Sequence, residues 1–279
     1  MKPGVEENDK AGKEYWNQNW GEYPLPQVWD VESNRLLHHV EREFYLSIVK
    51  ALEGQGKTGP HVHLVEVGCA RSQALPVLGK RLGIQVAGID YSPNGCEQTR
   101  IMLKREGVSG EVYCADIFDV PDSLKGSFDA VVSFGLIEHF SNTNEIVSAL
   151  AVLLKPGGIV FTNIPNMQGM TGLAQKLLNR GIYDIHVPLG PSDVRSAHEA
   201  AGLHVLESEY FLSSNFGVVN LGEINRSSLG WWAKKISLAI LARVSMATWL
   251  IERNFGKFRA RQVFSPYVNC IAVKPEIDQ

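Results

Sequence analysis

The chain has 279 residues, 44% hydrophobic and 20% charged, a size that supports one large α/β domain with insertions and leaves no need for a second independent core. Its four cysteines (Cys69, Cys96, Cys114, Cys270) lack CxxC spacing, so they signal no metal site and fit free thiols in a reducing cytoplasm. The net charge of −3 hides an asymmetry: residues 226–261 hold eight basic side chains (Arg226, Lys234, Lys235, Arg243, Arg253, Lys257, Arg259, Arg261) against Glu252, a local +7 on a body of −10, which argues for a localised anionic partner and against general nucleic-acid affinity.

The first thirty residues lack the basic start and apolar middle of a signal peptide or anchor, so the mature chain is expected to start near Met1 and to be cytoplasmic. Trp16, Trp20, Tyr23 and Trp29 recur there without a steady period, which predicts an irregular arm folded onto the body. A helix over 32–53 follows (Leu36, Leu37, Val40, Phe44, Ile48, Leu52), closed by Gly54. We divide the chain into an arm and cover helix over 1–56 and a main domain over 57–279. From residue 62 the predicted elements alternate: strand 62–67, helix 71–82, strand 84–90, helix 93–106, strand 111–115, strand 128–134, helix 142–153, strand 157–164. Such alternation predicts a doubly wound, mostly parallel sheet with helices on both faces. A helix over 170–180, a loop through His186, a helix over 191–201, a strand over 203–211 and a last strand over 262–273 complete it.

Two runs stand out. Leu64-Val65-Glu66-Val67-Gly68-Cys69-Ala70 reads as a buried strand turning tightly into a helix, with backbone N–H groups aimed outward at a ligand. Gly88-Ile89-Asp90 ends the next strand in an acid suited to the two hydroxyls of a ribose. Together they predict a nucleoside cofactor at the carboxyl edge of the sheet.

With these, Ala115-Asp116-Ile117, Phe128-Asp129-Ala130-Val131-Val132-Ser133 and Leu154-Lys155-Pro156-Gly157-Gly158 complete an ordered series that resembles the class I S-adenosylmethionine-dependent methyltransferases over 62–164, and more loosely to 211. The resemblance implies a Rossmann-like seven-stranded sheet and S-adenosylmethionine as cofactor. It makes Glu66 the acid that organises the glycine turn and holds the methionine amino group, with Gly68, Cys69 and Ala70 approaching the ligand through backbone. It makes Asp90 the ribose acid with Tyr91 beside it, Asp116 and Ile117 the adenine contacts, and Phe134 and Gly135 the lining of the methyl-donor end. The chain departs from the family's E-x-G-x-G-x-G by carrying Ala70 and Ser72 at the later positions.

Methyl transfer is an in-line displacement that depends first on alignment, and a hydroxyl acceptor adds the need for a base, for which neutral imidazole is suited. His139 and His186 are the catalytic candidates. His139, in Leu136-Ile137-Glu138-His139-Phe140, also reads as a loop tie, and His198 reads as structural. Asn163, Asn166, Met170, Tyr15 and Trp20 are the candidate substrate contacts. Residues about 167–190 are read as a lid whose Met167, Met170, Leu173, Leu177 and Leu178 face the pocket, or as a helix simply packed on the body.

Residues 231–252, within a predicted helix over about 229–254, put Ile236, Ile240, Val244, Ala247 and Ile251 on one stripe at helical spacing. Arg243 makes the uncharged run too short to span a membrane. The segment reads either as a cover helix beside the site or as an interfacial helix meeting anionic lipid or a lipid-linked acceptor. No base-flipping motif, RNA-binding module or G-x-G-x-x-G is present, which disfavours nucleic-acid and NAD chemistry. The expected activity is methyl transfer to oxygen or nitrogen of a small molecule; a catalytically inactive cofactor-binding scaffold is the competing class.

Overall fold

A computed structural model describes residues 8–21, 24–222 and 229–276. Tyr23 and Arg226, counted above among the arm aromatics and the basic residues, lie outside these. The strands are β1 (His63–Val67), β2 (Gln85–Asp90), β3 (Gly110–Cys114), β4 (Phe128–Phe134), β5 (Leu154–Pro165), β6 (His204–Phe211) and β7 (Tyr267–Val273). They form one sheet in the order β3-β2-β1-β4-β5-β7-β6, in which β7 alone runs against its neighbours. The strand order reverses between β1 and β4, and in open α/β sheets ligands bind in the crevice beyond the carboxyl ends at that reversal.

The helices are α1 (Lys13–Gly21), α2 (His39–Gly54), α3 (Leu75–Leu82), α4 (Pro93–Glu106), α5 (Thr143–Leu153), α6 (Met170–Leu178), α7 (Arg180–Asp184), α8 (Pro191–Ala200) and α9 (Leu229–Phe255). On one face of the sheet Ile146 and Leu150 of α5 and Val194 and Ala197 of α8 pack against Val65, Val131 and Val160. On the other, Ile48 and Leu52 of α2 and Leu75 and Leu78 of α3 pack against Leu64, Val132 and Phe161. Strand residues therefore bury both of their alternating faces, as a covered parallel sheet requires.

The boundaries that differ have local causes. The helix expected from residue 71 starts at Leu75, because Arg71 takes φ +56, a left-handed conformation incompatible with helix, and Pro76 then sits in the first turn. The helix expected over 170–180 is cut in two by Asn179, which leaves helical geometry and caps α7 by accepting the Ile182 N–H at 3.3 Å. The arm is not irregular throughout: residues 13–21 form α1, packed on α4. The final strand begins at Tyr267, after Pro266, which cannot donate to the ladder.

One close contact fits the turn after β1 against β2. A Cβ at Gly88 would stand 2.5 Å from Cys69 Sγ and 3.0 Å from Cys69 Cβ, so the buried thiol occupies the place of a side chain on β2. Gly88→Ala is expected to destabilise the protein by about 1–3 kcal/mol in urea unfolding, as overpacking does. Cys69→Ala in the same chain is expected to recover part of that loss; additive costs would show that the two sites do not share this space.

Candidate active site

Two adjoining cavities open at the carboxyl ends of β1, β2, β4 and β5. The first, of about 910 Å³, is lined by Glu66, Gly68, Ala70, Asp90, Tyr91, Asp116, Ile117, Phe134 and Gly135, with Trp16 and Trp20 of α1 across from them. Gly68 holds φ +77 and a Cβ there would meet Leu136 Cδ1 at 3.3 Å, so this turn requires glycine. The Gly68 N–H donates to the Ile89 carbonyl at 2.9 Å, and the Ala70 N–H donates to Asp90 Oδ2 at 3.0 Å. Asp90 Oδ1 accepts the Ser92 N–H at 2.8 Å. The β1 turn is thus fastened to the end of β2 through one carboxylate.

Glu66 is buried, and Ser72 Oγ donates to its Oε2 at 2.6 Å while itself capping α3 through the Leu75 N–H at 2.9 Å. Burial pushes the Glu66 carboxyl up to about 8, against the pull of the Ser72 hydrogen bond. Burial likewise pushes Asp90 up to about 6, opposed by its backbone donors. Asp116 accepts the Phe118 N–H at 3.0 Å, shaping the turn that brings Ile117 and Phe118 to the cavity.

The arm closes over this cavity by hydrogen bonds rather than by aromatic packing alone. Tyr91 donates to Asp9 Oδ2 at 2.6 Å, and Asp9 Oδ1 accepts from the Ala11 and Gly12 N–H groups at 3.0 Å each. Ser92 Oγ donates to Asn17 Oδ1 at 3.1 Å and Asn94 Nδ2 to the Asn17 carbonyl at 3.0 Å. Trp16 and Trp20 stack at 5.5 Å, and Trp16 meets the His139 ring edge-on at 4.9 Å.

The second cavity, of about 1,660 Å³, shares Trp16, Trp20, Phe134, Gly135 and His139 with the first and extends beneath α9. His139 and His186 face each other in it, ring centres 4.5 Å apart. His139 Nδ1 lies 3.0 Å from the Ile185 carbonyl and His186 Nδ1 lies 2.6 Å from the Ile182 carbonyl. A carbonyl only accepts, so each Nδ1 carries the proton and each neutral ring keeps Nε2 as an acceptor. Burial pushes His139 down to about 4, with His186 adding to the effect, and burial lowers His186 as well.

Between them lies Glu138, buried, with neither carboxylate oxygen hydrogen-bonded among the described residues. Burial pushes it up to about 8. Its Oε1 stands 3.9 Å from His139 Nε2. Glu138, His139 and His186 offer ligand atoms within 4.8 Å of one another, a donor set chemically able to hold a divalent cation as well as a proton. Lys10 anchors the arm to this cluster, its N–H donating to the His139 carbonyl and its Nζ to the His186 carbonyl, both at 2.9 Å.

The structure brings most of the anticipated residues to these cavities and separates others. Tyr15 and Asn163 line the second cavity, where Asn163 Nδ2 donates to Asn269 Oδ1 at 2.6 Å. Cys69 lies outside both: its thiol is packed against Gly88, its N–H faces the Ile89 carbonyl and its carbonyl accepts from Thr99. Asn166 also lies outside, its side chain consumed in donating to the Gln262 and Ser265 carbonyls and accepting the Gln168 N–H. Met170 sits partly exposed at the start of α6, away from either cavity. Of the expected lid face, Met167 is buried and lines the second cavity, whereas Leu173 and Leu177 point to solvent, and Gln175, Asn179 and Ile182 line the cavity in their place. Residues that sequence reasoning passed over are Asp9, Asn215, Met246, Trp249 and Tyr267, whose lining positions come from elements distant in the chain. His198 bridges the Val194 carbonyl and Thr162 Oγ1 in the core, a structural tie.

The arrangement sets an acid-lined cavity at the strand-order reversal of an α/β sheet beside a second, larger chamber. A methyltransferase domain model matches residues 65–162. The ubiquinone biosynthesis O-methyltransferase of Bordetella avium is 26% identical over 185 residues, covering 63% of this chain and 74% of that protein. Its counterpart from Xanthomonas axonopodis is 31% identical over 139 residues, covering 50% and 56%. The geranyl diphosphate C-methyltransferase of Streptomyces coelicolor, solved with S-adenosyl-L-homocysteine, superposes at TM-score 0.58 with 15% identity over 94% of this chain and 97% of that one. Residues 65–162 thus match a methyltransferase domain, and the chain has the fold of the S-adenosylmethionine-dependent methyltransferases it superposes on.

The residues present fit that cofactor. A positive-φ glycine opens backbone to the ligand, a buried carboxylate stands at Glu66, and Asp90 and Asp116 end neighbouring strands on the same cavity. Asp90→Ala is expected to weaken binding of S-adenosylmethionine at least tenfold by calorimetry, about 1.4 kcal/mol, with circular dichroism confirming the fold. An unaltered dissociation constant would remove Asp90 from the site.

Glu66 and Asp90 hold protons more tightly than ordinary carboxyls, and a cationic amino group favours their ionised forms. Affinity is therefore expected to rise with pH between about 5.5 and 7, below the range where an α-amino group itself titrates. Glu66→Gln should flatten that slope; a wild-type affinity independent of pH would show that neither carboxyl changes protonation on binding.

Proposed function

We propose that the enzyme methylates a hydroxyl oxygen of a small-molecule acceptor held in the second cavity, with His186 receiving the hydroxyl proton. S-adenosylmethionine, when bound, would supply a sulfonium methyl carbon open to in-line attack by a lone pair, with the thioether as leaving group. The observation that carries the reading is the pair of imidazoles whose Nδ1 protons are spent on backbone carbonyls, leaving Nε2 acceptors, with His139 at the cavity junction and His186 beside it in the second cavity. His186 is the better base of the two, because His139, at about 4, binds a proton weakly.

The remaining residues have positioning roles in this reading. Phe134 and Gly135 line the junction, and the positive φ of Gly135 keeps backbone rather than a side chain there. Glu138, without a donor of its own, would receive one from the acceptor. Trp16 and Trp20 exclude water and offer ring faces to a sulfonium. The names of the curated relatives support oxygen as the attacked atom. A peripheral contact with anionic lipid through residues 231–252 belongs to the same reading, supported by the exposed basic helix of that segment.

The competing reading is cofactor binding without turnover on the same fold. A panel of phenols and aliphatic alcohols, with their amine analogues, tests both: release of demethylated donor with a hydroxyl compound and not with its amine supports O-methyl transfer, whereas binding of the donor with no turnover on any acceptor favours the scaffold. With an accepted phenol, His186→Ala is expected to lower kcat by about 10²–10⁴-fold and to leave donor affinity within twofold. An unchanged kcat would leave alignment alone as the source of rate.

A further inference from the structure

Helix α9 has two faces, and only one is packed. Ser245 and Trp249 are buried, Trp249 Nε1 donating to the Ser214 carbonyl at 2.8 Å and Ser245 Oγ accepting the Phe216 N–H at 2.9 Å. Ala242, Met246 and Trp249 line the acceptor cavity. The apolar stripe noted in the sequence lies on the other side: Ile236 is 58% exposed, Ile240 55%, Val244 49% and Ile251 46%, with Trp232 at one end and Phe255, 85% exposed, at the other. Spaced mostly four residues apart, these side chains make a ridge roughly 35 Å long at 1.5 Å per residue. The chain after the helix extends it with exposed Phe258, Val263 and Phe264.

The charges around this ridge are of one sign. Among the described residues from 229 to 261, seven basic side chains face a single acid, Glu252. Lys235 and Arg243 are exposed on the helix, Lys235 over the Trp231 and Trp232 rings at 4.8 and 5.1 Å, and Arg259 and Arg261 are exposed among the phenylalanines. Lys257 is paired with Glu43 at 2.6 Å. No helix among the described residues is long and apolar enough to cross a membrane. A convex apolar ridge edged by cations, lying along the surface, has the design of a helix that seats in the headgroup region of a bilayer.

We infer that α9 and residues 255–264 form a docking surface for an anionic lipid bilayer, and that docking brings the α9 wall of the acceptor cavity against the membrane. Charge selects the bilayer over a second copy of the chain, since two-fold pairing of this face would oppose its own cations. The inference names the partner of the site proposed above, but its test does not pass through methyl transfer and can fail separately.

The full-length protein is sedimented with vesicles of phosphatidylcholine alone and of phosphatidylcholine with 30% phosphatidylglycerol. Binding to the anionic vesicles at least tenfold tighter than to neutral ones is expected. Ile236→Asp with Ile240→Asp, and separately Lys235→Glu with Arg259→Glu and Arg261→Glu, should each reduce it tenfold or more, with donor affinity unchanged. All five positions are exposed, so both variants should fold; if the aspartate pair lowers the melting temperature, the charge-reversed variant alone decides. Equal binding to both vesicle types, or none, overturns the inference. So does concentration-dependent dimerisation by sedimentation velocity that the aspartate pair abolishes, which would make the ridge a self-association face.

Discussion

The Asp90 carboxylate accepts the Ala70 N–H with one oxygen and the Ser92 N–H with the other, and the donor site is arranged around those two bonds. Through the first, the turn after β1 is held against the end of β2; through the second, the entry to α4 is set, with Ser92 capping that helix through the Gly95 N–H. Ser92 also reaches Asn17 of the arm, and the adjacent Tyr91 reaches Asp9. One buried acid therefore couples two strands, a helix N-terminus and the arm that covers the cavity. The desolvation it suffers is offset only in part by fixed backbone dipoles, and its carboxyl stays above the usual range at about 6.

The acceptor side rests on the same economy of backbone hydrogen bonds. Carbonyls of Ile182 and Ile185 fix the tautomers of two imidazoles that burial keeps neutral. A neutral ring with a directed lone pair is what proton removal from a hydroxyl requires near pH 7. Glu138, buried with no hydrogen-bond partner for its carboxylate among the described residues, carries the desolvation cost of this arrangement. Lys10 ties the arm to the carbonyls of both histidines, so the segment that covers the first cavity also braces the second.

Helix α9 belongs to two environments. Its inner face supplies a wall of the second cavity, and its outer face carries large apolar side chains to the surface where a globular core would have drawn them in. A periodic apolar stripe states that a helix has a favoured face and says nothing about what that face meets.

Much of the donor site was legible in the chain because its signals are local. A carboxylate at a strand end, a glycine two residues on and a second acid some twenty residues later are set by the spacing of one β-α-β unit, so Glu66, Gly68, Asp90 and Asp116 could be expected to line one cavity before any fold was known. Backbone and burial already limit what a parallel strand may hold, which is why the strand boundaries largely agree. Local pattern failed where direction depends on a partner from elsewhere. Cys69 turns inward because Gly88 leaves it room, Asn166 is spent on the carbonyls of Gln262 and Ser265, and the leucines of α6 face solvent because Gln175 and Asn179 tie to backbone at Asn220 and Leu221. The sequence by itself determined the fold class and, through an ordered series of local motifs, pointed to the cofactor and to the acids proposed to hold it, since such motifs are set by short-range spacing. Only the tertiary structure decided that His139, His186 and Glu138 share one chamber and that the stripe of α9 looks outward, because contacts between residues far apart in the chain are set by packing and leave no period to read.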